Sequence, residues 1–80
     1  MRKLKIPEWN GDALRELRKD RGLTQVGLTK QFNKVGALIG EATHDTSVSA
    51  WERGHEPSKR AHLLILCHVL KCGLDDLFAS

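Results

Sequence analysis

The 80-residue sequence predicts an all-α fold. Apolar residues recur at spacings of three and four, and nowhere do they alternate with polar ones over a length that would read as a strand. Cap and breaker residues also divide the chain into short segments of helical length. With 40% hydrophobic and 29% charged residues, the chain is apolar enough to fold and lies outside the low-hydrophobicity class that stays disordered.

The elements follow in order. Asn10 is a good N-cap for a first helix, Trp9 and Leu14 are spaced as a hydrophobic staple, and Gly22 closes the segment. Ala13, Leu14 and Leu17 form its buried stripe. Thr24 caps a second helix, in which Leu28, Phe32, Val35 and Ile39 step by four, three and four and share one face. A third helix begins near His44–Thr46 and stops at Gly54, with Val48 and Trp51 facing the core. Pro57-Ser58 opens a fourth, running through Leu63, Leu66, Cys67 and Leu70 to a break at Cys72-Gly73, and a short turn over Leu74–Phe78 ends the chain.

One small domain is expected, as residues 10–80, behind a basic arm over residues 1–9. The longest apolar run, Leu63–Cys67, is far below the roughly 18 residues of a membrane span. The basic start runs into Ile6-Pro7-Glu8-Trp9 with no apolar h-region, so a cytoplasmic location is expected. Cys67 and Cys72 read as reduced thiols. With His62 and His68 they point to different sides of one helix, so neither a metal nor a cofactor is expected. No nucleophile, base and orienting group form a recognisable set, and no enzyme is expected.

The formal charge of +3 favours a polyanionic partner. Residues 1–34 carry nine basic and four acidic groups, residues 35–58 one and four, and residues 59–80 three and two. The positive field therefore sits on the first half and returns at Lys59-Arg60.

Leu14-Arg-Glu-Leu-Arg18, Arg21-Gly-Leu-Thr-Gln25, Thr46-Ser-Val-Ser-Ala-Trp-Glu-Arg-Gly54, Pro57-Ser58 and Leu74-Asp-Asp-Leu77 together resemble the Cro/CI-type helix-turn-helix family, also called the xenobiotic response element family. The likeness spans about residues 12–78. It implies a compact five-helix bundle of the lambda-repressor-like type and a sequence-specific regulator of double-stranded DNA, mostly a dimeric repressor. It also implies an ion pair between Arg18 and Glu52.

Residue chemistry gives each position a role within that expectation. Thr24 and Gln25 open a helix whose free N–H groups and dipole suit a phosphate. His44, Asp45, Thr46, Ser47 and Ala50 form the exposed face of a short helix suited to the major groove. This face has no Arg, Lys, Gln or Asn, so base readout is sparse: hydroxyls from Thr46 and Ser47, a thymine-methyl contact from Ala50, and either a cytosine contact or a helix-dipole role for Asp45. Arg53, His55, Lys59 and Arg60 follow as phosphate contacts. Arg2, Lys3 and Lys5 either track the DNA or form a solvated tail.

Two further features concern assembly and spacing. Ile65 and Val69 fall opposite the Leu63–Leu66–Leu70 face, implying cover by a second subunit or by the chain's own Ile6–Trp9 segment. A protein-binding module, such as the antitoxin partner of a toxin that also represses its own operon, is the alternative reading of function. Twenty-five residues separate Gln25 from Trp51, where the resemblance implies about 16 or 17. The extra residues form either a loop after Asn33 or a longer second helix; periodicity favours the helix, ending at Ile39 with Gly40 beyond it and Glu41–His44 as linker.

Overall fold

A computed structural model describes residues 7–79. In chain order it contains β1 (Glu8–Trp9), α1 (Gly11–Asp20), α2 (Gln25–Gly36), a 3-10 turn (Ala37–Ile39), α3 (Asp45–Glu52), α4 (Arg60–Leu70), a second 3-10 turn (Leu74–Leu77) and β2 (Phe78–Ala79). The chain is thus mostly helical. The described residues contain no helix long and apolar enough to cross a membrane.

The expected caps form. The Asn10 side chain accepts a hydrogen bond from the Ala13 N–H at 3.1 Å, and Thr24 Oγ1 accepts one from Gly27 at 2.9 Å. Both satisfy backbone donors that a helix start leaves unpaired. The fourth helix begins later than Pro57-Ser58: Lys59 is the N-cap, while Pro57 is buried ahead of it.

Leu14, Leu28, Phe32, Val48, Trp51, Ile65, Leu66, Leu70 and Leu77 form the core. His62 is edge-on to the Phe32 ring, with centroids 5.2 Å apart, and lies 5.8 Å from Trp51. Burying such residues at about 25 cal/mol per Å² of apolar surface supplies the main drive to fold.

Three expectations are corrected. Ile65 is buried in the core, only 3% exposed, and Val69 packs half-buried against it, so this pair offers no free dimer face. Helix α4 is apolar on nearly every side, a pattern from which no single buried face can be chosen. The arm does not extend through residue 9: β1 pairs antiparallel with β2, placing Trp9 opposite Phe78, and the Trp9 indole N–H donates to the Trp51 carbonyl at 2.8 Å. A two-residue ladder is too short to show any alternation, so the all-α expectation omits it. Arg2, Lys3 and Lys5 lie outside the described residues.

The third correction concerns the long segment between α2 and α3. Helical conformation continues to Ile39, with Gly40 left-handed at φ 73° and the Glu41 N–H donating to the Gly36 carbonyl at 2.8 Å. This is a Schellman-type ending, for which Gly40 supplies the left-handed residue. Ile39, however, is 61% exposed rather than buried, because the change to 3-10 winding turns it off the Leu28–Phe32–Val35 stripe. Gly36 is buried where a Cβ would collide with the Glu41 carbonyl, so the linker can fold back against the helix only over glycine.

Asn33 then fixes the linker. Its side-chain oxygen accepts from the Thr43 N–H at 2.7 Å, and its amide donates to the Thr43 carbonyl at 3.0 Å. Asn33→Ala is expected to strand both buried backbone groups at a cost of about 2 kcal/mol. Urea unfolding combined with amide exchange checks this: Thr43 should lose protection while residues 34–39 keep helical chemical shifts.

Candidate nucleic-acid interface

The candidate interface is organised around a buried ion pair. The Arg18 Nε donates to Glu52 Oε2 at 2.6 Å and Nη2 donates to Oε1 at 3.1 Å, a bidentate contact between α1 and the end of α3. The third guanidinium nitrogen, Nη1, donates to the Leu23 carbonyl at 2.7 Å, in the turn before α2. Gln25 Nε2 adds a hydrogen bond to Glu52 Oε1 at 3.2 Å. One arginine thus joins two helices and the turn that leads into a third, and the carboxylate it neutralises also positions Gln25. Burying either charge alone would be costly.

Beside this network lies an open cleft of about 320 Å³, lined by Arg15, Arg18, Lys19, Gln25, Ser49, Glu52 and Arg53. Because Arg18 and Glu52 compensate each other, Arg15, Lys19 and Arg53 give the rim its positive charge, and all three are exposed. The Arg53 guanidinium donates to Ser49 Oγ at 3.3 Å, which aims it along α3. The cleft therefore combines three exposed cations with a hydroxyl and a carboxamide at the start of a helix, a donor set suited to phosphate.

The structure brings Gln25 and Arg53 to this cleft, but the Gln25 amide already donates to Glu52 and is not a wholly free phosphate donor. Thr24 stands next to it as the cap of α2. His44, Asp45 and Thr46 are exposed at the start of α3, whereas Ser47 and Ala50 are half-buried, a more recessed position than expected. Val48 and Trp51 anchor the other side of the helix in the core.

Sequence reading missed Arg15, Lys19 and Ser49. Helical spacing carries the signal for them: Arg15 and Lys19 are four apart on α1, and Ser49 shares a face with Thr46 and Arg53, three before it and four after it.

Lys59, Arg60 and His55 are exposed around the entrance to α4. Lys59 is not an unpaired cation, since its Nζ lies 3.3 Å from Glu41 Oε1. His62 Nε2 is 2.9 Å from the same oxygen, so Glu41 ties the linker before α3 to the first turn of α4. The hydrogen bond with His62 and then that from Lys59 hold the Glu41 carboxyl below its ordinary value.

The chain matches no protein-family model, no curated protein and no solved structure.

Two outcomes follow. Glu52→Ala leaves the buried Arg18 charge without its partner and is expected to cost about 3–5 kcal/mol, measured by urea unfolding; a variant that melts with the wild type would show that the network is dispensable. A carboxyl whose pKa falls on folding contributes stability that is present above its unfolded value and is lost as pH drops through the folded one. The melting-temperature gap between wild type and Glu41→Gln should therefore be present at neutral pH and close as pH falls below the ordinary carboxyl value of 4.5.

Proposed function

We propose that this chain is a sequence-specific double-stranded DNA-binding transcriptional regulator, a dimeric repressor that occupies a promoter or operator rather than performing chemistry. The cleft carries the reading: Arg15, Lys19 and Arg53 surround a carboxamide and a hydroxyl, and the exposed start of the eight-residue α3 lies on the same helix as Ser49, with Arg53 capping its other end. In this reading α2 and α3 are the helix-turn-helix of a lambda-repressor-like bundle. Phosphates are held at the cleft and around Lys59 and Arg60, while His44, Asp45, Thr46, Ser47 and Ala50 meet base edges. The homodimer follows from the two-fold symmetry of the operators such proteins bind, and its contact is not Ile65, which the core occupies.

A second reading, a protein-binding module of the antitoxin kind, is favoured by one observation. Leu38 is 85% and Ile39 61% exposed, adjacent and apolar, on the turn that ends the extended α2. Isolated exposed apolar residues are ordinary on protein surfaces, so the basic cleft outweighs this pair.

The test is selection of duplexes from a random library followed by titration over a range of salt. Affinity should fall steeply as salt rises, and Arg53→Ala and Lys19→Ala should each flatten the log–log slope by about one. Thr46→Ala should alter the preferred sequence without changing that slope. Failure to bind any duplex at low salt, or binding that ignores salt, overturns the reading.

A further inference from the structure

Cys67 and Cys72 lie outside the candidate interface, on either side of the cap that ends α4. Lys71 is left-handed there, with φ 52°, and the Cys72 N–H reaches back to the Cys67 carbonyl at 3.0 Å. That backbone bond is the six-to-one bond of a Schellman cap, a geometry that brings the side chains of its first and last residues together and usually joins two apolar groups. Here both are thiols. They are free and half-buried, and the cap sets them beside each other.

We propose that Cys67 and Cys72 are an oxidative modification site, closing an intramolecular disulfide across the α4 cap by exchange with a small-molecule disulfide of the glutathione class. Cys67, as thiolate, attacks one sulfur of the reagent, forming a mixed disulfide and releasing one reagent thiolate. Cys72, as thiolate, then attacks the Cys67 sulfur, forming the Cys67–Cys72 bond and expelling the second reagent thiolate. The two protons lost by the cysteines go to the two released thiolates. The protein sulfurs lose two electrons, and the reagent disulfide is reduced to two thiols.

The order of attack follows from the surroundings. Burial raises the Cys67 thiol above its ordinary value, the neighbouring Cys72 thiol opposes this, and the charges of Asp76 and Asp75 add to it. Burial pushes Cys72 up to about 11, Cys67 and Asp76 act in the same direction, and Arg21 acts against them. Cys67 is therefore the better first attacker and Cys72 the resolving thiol. Both are slow at neutral pH, so the rate should climb as pH rises, while the cap that sets the two residues side by side gives the second step the advantage of an intramolecular reaction. The bond would fasten the last turn of α4 to the segment entering the Leu74–Leu77 turn, whose Leu77 carbonyl accepts the Asn10 N–H at 2.8 Å.

The test treats the native, full chain with oxidised glutathione at mildly alkaline pH and measures intact mass. The expected product has lost two hydrogens, retains no glutathione and returns to the starting mass with dithiothreitol. Cys72→Ser is expected to stop with one glutathione on Cys67, and Cys67→Ser to react more slowly. Should either variant fail to fold, the wild type suffices: trypsin cleaves after Lys71, so a non-reducing digest should join peptide Ala61–Lys71 to peptide Cys72–Ser80. Retained glutathione on the wild type, a disulfide between two chains, no reaction, or reaction only after unfolding in urea overturns the proposal.

Discussion

The Arg18–Glu52 pair is the joint on which the remaining geometry rests. A guanidinium presents donors in a fixed plane, and here two meet one carboxylate while a third reaches the Leu23 carbonyl. This fixes the end of α3 against α1 and sets the turn that leads into α2. Gly11 lets α1 start directly against the Trp51 and Glu52 carbonyls, and the Trp9 indole donates to the first of these. The short helix α3 is thus fastened at its C-terminal end by an ion pair and a ladder strand, and along its inner face by Val48 and Trp51. Its N-terminal end stays exposed.

The long segment before α3 is fastened by a separate set of contacts. Asn33 holds Thr43, Gly36 lets Glu41 approach, and Glu41 bonds to His62 and Lys59 on the α4 side. These groups converge on the linker from α2 and from the start of α4. Extra residues between two elements would ordinarily add conformational freedom. In this chain most of the connecting backbone is helical or hydrogen-bonded to Asn33, so the long connection holds the helix it precedes.

Much of this was legible in the sequence, and the exceptions have physical causes. Asn10, Thr24 and Gly40 act through local backbone chemistry, which a sequence displays directly, and all three stand at helix ends. Ile39 carried the right spacing for an α-helix, but a change to 3-10 winding over three residues rotated it outward. Ile65 was misplaced because α4 is apolar on too many sides for periodicity to choose one. The Glu8–Trp9 ladder and the Asn33–Thr43 clamp depend on partners far along the chain or across a turn, which a local pattern does not contain. Of the candidate interface, Gln25 and Arg53 could be read from the sequence; the Glu52 contact that occupies Gln25, and the basic rim formed with Arg15 and Lys19, appear only when α1, α2 and α3 are brought together.

In the proposed reading, the composition of the candidate interface constrains how discrimination would arise. The exposed start of α3 offers short side chains, which would reach a base edge only with the helix close to the groove floor, where Asp45 would be repelled by phosphates. A face of this kind gains little from flexible side chains searching for partners. It depends instead on the backbone of α3 being held at a fixed height, which is what phosphate contacts on the cleft rim would set. On that reading the buried ion pair, the Asn33 clamp and the Glu41 contacts would serve one requirement, since displacement of α3 by a single ångström would take a hydroxyl out of hydrogen-bonding range of its base. On that reading, the anchoring of α3 by the scaffold would substitute for reach in its side chains.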